Sequence, residues 1–314
     1  MNPHPALFDQ IRARVEREML DLPDPDRIPL FYEPIYFINR LKGKKIRPLL
    51  TVLSGLAVGG TIERVLKPAT AIELLHNFSL VHDDIMDNDD TRRGQPTVHV
   101  KWDLGTAILA GDGLLGLAYR KLLQSPGEFI ERIAKLFTDA MLEICEGQAL
   151  DKTYESAATI SEDKYLEMIG KKTACLISLA CEIGAIVGGG EEKDIQNLAS
   201  FGYKIGMGFQ IQDDLLDIFA DEQTLGKRVG SDMAMNKKTI VSIRLKAIAP
   251  EFDFRNAGMK ELREILHEEG IVTQIQLMAE KYFSEAETYL SRLNQNNYTG
   301  YLKDLAVYLL KRDK

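Results

Sequence analysis

Apolar residues return every three or four positions through most of this chain. Leu7, Ile11, Val15 and Met19 recur every four positions between Pro5 and Leu20, which places them on one helical face. The same spacing, or a run of strong helix formers, predicts helices over Pro48–Val58, Pro68–Asp87, Ala107–Leu123, Glu128–Ala149, Ser161–Val187, Glu191–Phe219, Lys238–Ile248, Met259–Glu269 and Ile271–Leu293. Pro48, Pro68, Ser161 and Asp163 punctuate starts, and Gly59-Gly60 and Gly188-Gly189-Gly190 punctuate stops. The segment Leu22–Pro34 carries four prolines and is expected to be a connector. No convincing alternating strand, fixed-period repeat or low-complexity tract interrupts the pattern, so an all-α, bundle-like single domain over 1–314 is the expected fold.

With 314 residues, 45% of them hydrophobic and 27% charged, the chain can bury a full core without a disulfide or metal staple. Lys plus Arg number 39 against 47 Asp plus Glu; the formal charge of −8 argues against nucleic acid or an anionic membrane as the main partner. Cys145, Cys175 and Cys181 form no CxxC pair and have no histidine at zinc-finger spacing, so they read as reduced core residues of a cytoplasmic protein. The first twenty residues are charged and amphipathic, unlike a signal peptide, and no apolar run reaches the ~18 residues needed to span a bilayer.

Two acidic clusters carry the chemistry. The first, HDDIMDNDDTRRG, contains Asp83, Asp84 and Asp87; the second, FQIQDDLLD, contains Asp213, Asp214 and Asp217. Each is DDxxD, and on a helix its first and last carboxylates lie one turn apart on the same face. Like charges at that spacing repel, and both ladders follow apolar runs, Phe78–Val81 and Phe209–Ile211, so a cation or a cleft must accompany them. Mg²⁺ prefers oxygen ligands and binds through one or two carboxylates plus substrate phosphates, so two such helices could grip a diphosphate through shared metals.

Basic residues supply the other half of such a site. Lys42-Gly43-Lys44-Lys45-Ile46-Arg47-Pro48 precedes a helix start, where backbone N–H groups and the helix dipole favour an anion. Arg92-Arg93 follows the first acidic cluster, Lys171-Lys172-Thr173 sits in a later helix, and Lys227 and Lys237 flank a Gly-rich turn. His76 lies seven residues, about two turns, before Asp83 and points along the same face.

In order and spacing these elements resemble the trans-type isoprenyl diphosphate synthases, the polyprenyl synthetase family, from about Lys42 to Thr239. The matching blocks are Gly43–Pro48, His76, Asp83–Gly94, Gly147-Gln148, Lys172-Thr173, Phe209-Gln210 with the second DDxxD, and Gly226-Lys227, Gly230-Ser231-Asp232 and Lys237. Residues 250–314 supply helices but no usable motif. The resemblance implies an isoprenoid-synthase-like bundle of long, mostly antiparallel helices around a central cavity, and Mg²⁺-dependent head-to-tail condensation of isopentenyl diphosphate with an allylic diphosphate (dimethylallyl, geranyl or farnesyl). It implies that Asp83, Asp87 and Asp213 ligate Mg²⁺; Asp217 is grouped with the metal site, supporting it, like Asp84 and Asp214, through hydrogen bonds or bound water. Lys44, Arg47, His76 and Arg93 match the isopentenyl diphosphate site. Arg92, Lys172, Thr173, Gln210, Lys227 and Lys237 match the allylic side, with Lys172, Thr173, Gln210 and Lys227 closest to the chemistry. A homodimer is implied as well. Cys175, Cys181 and the stripe Met168–Leu179 remain core.

A terpene cyclase would carry a different second metal motif and lack the Gly43–Pro48 block; a non-catalytic partner subunit would have lost aspartates or basic residues, and none is missing. Product length in this family is set just upstream of the first DDxxD, where Phe78 and Ser79 resemble enzymes that stop at twenty carbons. Geranylgeranyl diphosphate is therefore the expected product, ahead of farnesyl diphosphate and longer chains. Ideal geometry turns Phe78 about 140° away from Asp83, so Leu75 and Ser79 are alternative floors of the tail cavity.

Overall fold

The computed structural model describes residues 5–219, 235–252 and 258–311. Fourteen helices account for most of these residues: α1 (Pro5–Met19), α2 (Pro29–Arg40), α3 (Ile46–Ala57), α4 (Ile62–Asp87), α5 (Val98–Lys101), α6 (Leu104–Leu122), α7 (Ile130–Glu155), α8 (Glu162–Ile169), α9 (Cys175–Gly188), α10 (Glu192–Phe219), α11 (Ile240–Ile248), α12 (Met259–Glu268), α13 (Ile271–Leu290) and α14 (Asn297–Leu310). A five-residue π-turn, Gly170–Ala174, joins α8 to α9. The all-α expectation holds. The only ladder among the described residues is a hairpin pairing Thr91 with Pro96 and Arg92 with Gln95.

Long helices frame the molecule. α4 packs against α6 and α3, α3 against α9, and α10 against α9 and α13. One hydrophobic core runs through α1, α3, α4, α6 and α9 to the first half of α10 (Ile195, Leu198, Phe201, Ile205). A second gathers Tyr165 and Met168 of α8, Leu262 of α12 and Ile275 of α13 around the second half of α10 (Met207, Ile211, Leu215, Ile218). α10 therefore belongs to both cores, and its DDxxD follows the apolar face that anchors it.

Local chemistry explains several boundaries. Helix α4 starts six residues before the expected Pro68: the Thr61 side chain caps it by accepting from the Arg64 N–H, and Val65 and Leu66 gain burial in the first turn. The hydrogen bond that Pro68 cannot donate is outweighed by that packing. The expected Leu22–Pro34 connector likewise ends early. Pro29, with its φ preset, occupies the first turn of α2, and burial of Pro34, Ile35 and Ile38 carries the helix through the second proline. Helix α7 runs to Glu155 rather than stopping at Ala149. Helix α14 lies beyond the last predicted element; Asn296 and Thr299 form its capping box. Cys175 and Cys181 are buried as expected, but Cys145 is exposed, because the buried stripe of α7 passes through Phe137, Ile144 and Gln148 instead.

Candidate active site

One cleft opens between α4, the π-turn and α10, and both acidic helices face it. Its two halves share Leu80, Asp83, Arg92, Lys172, Thr173, Gln210 and Asp213. The half towards α3 has a volume of about 470 Å³, and the half towards α11 about 330 Å³. Along α4 the wall is built from Glu73, His76, Leu80, Asp83 and Asp87, whose alternating steps of three and four keep them on a single helical face, with Ser79 beside them.

The α3 half is cationic. Lys44, Lys45, Arg47, Arg92 and Arg93 converge there with His76, at the N-terminus of α3. Arg47 Nη1 lies 3.2 Å from His76 Nε2. Burial, reinforced by Arg47, Arg93, Lys45 and Arg92, holds the His76 imidazole well below its ordinary pKa, so the ring is neutral and accepts the Arg47 hydrogen. Burial also brings the Arg47 guanidinium down to about 10, opposed by the charge of Glu73 and assisted by that of Arg93. Arg93 is presented by the hairpin turn, where Arg93 and Gly94 both adopt left-handed backbone angles (φ 53° and 71°). The Lys44 ammonium lies 5.3 Å from the ring of Tyr308 on α14, and Leu309 of the same helix lines the cleft.

In the α11 half, cations and carboxylates already interlock. Lys237 Nζ donates to Asp87 Oδ2 at 2.6 Å, Lys172 Nζ to Asp151 Oδ2 at 2.5 Å, and Arg92 to Asp84. The repulsion within the first DDxxD is thus relieved by lysine and arginine as well as by any metal. Burial alone would raise the Asp87 carboxyl; Lys237, Lys172 and Lys152 outweigh it and hold the group below the usual range. Asp83 is raised, mainly by burial with Lys172 opposing, and Asp84 is pushed by burial up to about 7 despite Arg92. Asp214 is a hydrogen-bond hub: it accepts from Tyr165 Oη (2.7 Å), the Ile240 N–H (3.0 Å) and Gln210 Nε2 (3.0 Å), while Gln210 Oε1 accepts from Thr173 (2.9 Å). That chain of contacts places Gln210 and Thr173 and ties the start of α11 to α10.

The expected residues are therefore largely brought together, with four departures. Asp217 is 1% exposed and does not line the cleft: it shares the face of Gln210, Asp213 and Asp214 but lies one turn further along α10, past the last residue of that helix on the wall. Phe78 and Leu75 are also off the wall: Leu75 is fully buried, and Phe78 turns towards His82, ring centroids 4.7 Å apart, as regular helix geometry requires. The Met168–Leu179 stripe is not purely core, since Met168, Ile169, Leu176 and Ile177 line the cleft. Lys227, with Gly226, Gly230, Ser231 and Asp232, lies outside the described residues.

Sequence reasoning missed Asp151. It is 4% exposed, pairs with Lys172 and lies 3.9 Å from Lys237. Its signal was available: it follows Gly147-Gln148 by one turn, and the structure shows why position 147 is glycine, since a Cβ there would lie 2.4 Å from the Lys172 backbone nitrogen.

The carboxylates suit a hard cation that completes its shell from a ligand. Among the described residues no three His, Cys, Asp or Glu side chains converge closely enough to cage a metal by themselves. Mg²⁺ seldom uses such a cage, preferring one or two carboxylates with phosphates and water. Asp87 Oδ1 is buried without a hydrogen bond among the described residues, with Lys152 Nζ 3.5 Å away, so an acceptor stands ready in the first ladder.

An all-α scaffold with two carboxylate helices facing a cationic pocket defines an enzyme that handles diphosphates. The polyprenyl synthetase family model matches residues 28–277, and the chain belongs to that family of prenyltransferases. It is 39% identical over 305 residues to a geranylgeranyl diphosphate synthase of Sulfolobus acidocaldarius, covering 91% of this chain and 92% of the relative. To a short chain isoprenyl diphosphate synthase of Methanothermobacter thermautotrophicus it is 40% identical over 282 residues, covering 86% and 87%. The crystal structure of geranylgeranyl pyrophosphate synthetase from Pyrococcus horikoshii superposes with a TM-score of 0.89 at 34% identity, covering 97% of this chain and 98% of that one. Among the described residues no helix is long and apolar enough to cross a membrane.

Proposed function

We propose that the chain condenses isopentenyl diphosphate with an allylic diphosphate, extending it to geranylgeranyl diphosphate. The observation that carries this reading is the division of one cleft into two anion-binding halves of different chemistry. Lys44, Arg47, His76 and Arg93 offer direct cations, suited to a diphosphate that binds without metal. Asp83, Asp87 and Asp213 offer hard oxygen donors facing Lys172, Lys237 and Arg92, suited to a metal–diphosphate. Mg²⁺ held there would neutralise the oxygen charge that builds as the allylic C–O bond breaks. Lys172 and Lys237, already 2.5 and 2.6 Å from carboxylates, turn to the departing diphosphate and stabilise that charge more in the transition state than in the ground state. Thr173 and Gln210, fixed through Asp214, orient the leaving group; Lys227 would join them. The double bond of isopentenyl diphosphate attacks the allylic C1, and the proton lost from the adduct passes to the released diphosphate.

The geranylgeranyl product rests on the relatives' names and on Phe78 and Ser79 just before the first DDxxD, of which Ser79 lines the cleft and Phe78 is buried off it. An exposed apolar strip on α6, Leu104, Ile108 and Leu109, supports a homodimer. Incubation with isopentenyl diphosphate, an allylic diphosphate and Mg²⁺, followed by chromatography of the dephosphorylated products, tests the reading; absence of any elongated prenyl chain would refute it. Arg47→Ala should chiefly raise KM for isopentenyl diphosphate, and Lys172→Ala KM for the allylic substrate.

A further inference from the structure

A carboxylate stands in the cationic half of the cleft, where an anion is proposed to bind. Glu73 lines that wall from α4, three residues before His76, and its side chain is 2% exposed. Its partner is Lys45, 1% exposed, with Nζ 3.2 Å from Glu73 Oε1. Lys45 Nζ makes no hydrogen bond of ordinary geometry among the described residues, so this charge pair is what holds the ammonium in place. A buried pair of this kind adds little net stability compared with an apolar pair of the same volume. By simple electrostatics Glu73 should also weaken the binding of a diphosphate.

The backbone of Lys45 supplies the reason for its presence. Lys45 is the N-cap residue of α3 and sits in the left-handed region (φ 49°, ψ 44°), which costs a side-chain-bearing residue energy. On one side of this bend is Lys44, whose carbonyl accepts from Arg12 Nε at 3.0 Å; on the other is Arg47. Gly43 lies directly on the Arg93 guanidinium, where a Cβ would come within 2.9 Å of Nη1. The left-handed turn thus sets the direction of the whole segment that presents Lys44, the α3 N-terminus and Arg47. The negative charge of Glu73 also opposes the loss of charge that burial imposes on Arg47 and Arg93.

We infer that Glu73 is a positioning residue for isopentenyl diphosphate binding, acting through the buried Lys45 to hold the Gly43–Arg47 turn. This rests on reading the cationic half as the isopentenyl diphosphate subsite. The two views of Glu73 predict opposite signs. If it were only a misplaced charge, its removal would tighten binding; as an anchor, its removal loosens binding.

Calorimetric titration of isopentenyl diphosphate into the metal-free protein separates them. In Glu73→Gln and in Lys45→Met, Kd should rise roughly tenfold. The double variant Lys45→Met/Glu73→Leu leaves no unpaired buried charge and should fold as the wild type does, yet show about the same tenfold loss rather than a hundredfold one. In turnover the KM for isopentenyl diphosphate should rise alone, with the allylic KM and kcat at saturation retained. Unchanged or tighter binding in Glu73→Gln, or wild-type affinity in the double variant, would overturn the anchor while leaving the proposed function standing. Failure of the wild-type protein to bind isopentenyl diphosphate would overturn both.

Discussion

Replacing Gly147 by alanine tests how the two sides of the site are held in register. The added Cβ would lie 2.4 Å from the Lys172 nitrogen and 2.7 Å from its Cα, whereas ordinary contacts begin at 3.4 Å. Both partners are main chain, α7 on one side and the π-turn on the other, so no rotamer change absorbs the overlap. The two must separate by about 1 Å, and a displacement of that size at reacting groups can cost up to ~100-fold in rate. Asp151 rides on α7 and Lys172 and Thr173 on the π-turn, so their 2.5 Å ion pair and the approach of Lys172 to the ligand move with the backbone. Overpacking of this kind also costs roughly 1–3 kcal/mol of stability. We expect kcat to fall ~10- to 100-fold, with the unfolding midpoint in urea lowered. Gly300→Ala is the control: position 300 lies within α14 with no atom near its would-be Cβ, so alanine there should stabilise by about 0.5–1 kcal/mol and leave turnover alone. Steady-state kinetics and urea unfolding of the two variants decide the matter. Wild-type kcat in Gly147→Ala, with the protein folded, would show that the contact does not set the site.

Asp83→Ala and Asp213→Ala should each lower Mg²⁺-supported turnover by orders of magnitude while the chain stays folded, since each removes a proposed ligand from a repelling ladder; near-normal rates in either would sink the metal assignment. His76 is held neutral in the folded state, whereas the unfolded chain takes up a proton near its ordinary pKa of 6.5; its depressed pKa therefore costs stability as pH falls below about 6.5. His76→Gln should make the acid-side slope of unfolding free energy against pH shallower by one proton, and an unchanged slope would contradict a neutral His76. If Phe78 is the floor of the tail cavity, Phe78→Ala should open volume there and lengthen the product by one or more five-carbon units; an unchanged product distribution, with lengthening in Leu75→Ala instead, would move the floor to Leu75. Sedimentation at micromolar concentration should show a dimer that Ile108→Asp weakens, and a monomeric wild-type protein would contradict the α6 interface.

What the sequence determined by itself was local. Helical spacing within DDxxD puts Asp83 and Asp87 on one face whatever surrounds them, and His76 two turns earlier shares that face because all three belong to one uninterrupted α4. Caps such as Ser161 and the left-handed Gly189 were equally legible, because their chemistry involves only neighbouring residues. Tertiary packing decided the rest. How far along α10 the cleft reaches separates Asp213 from the buried Asp217, one turn further on the same face, and that depends on what packs over each turn. A π-turn at Gly170–Ala174 sends Lys172 and Thr173 to the cleft, although no periodicity announces it, because it arises where α7 backbone abuts the turn across Gly147. Asp151 and the α14 residues Tyr308 and Leu309 join the site across separations of tens to hundreds of residues, and Glu73, though on the α4 face, meets Lys45 from another element. Their roles depend on distances between elements, and single-helix periodicity carries no information about those distances.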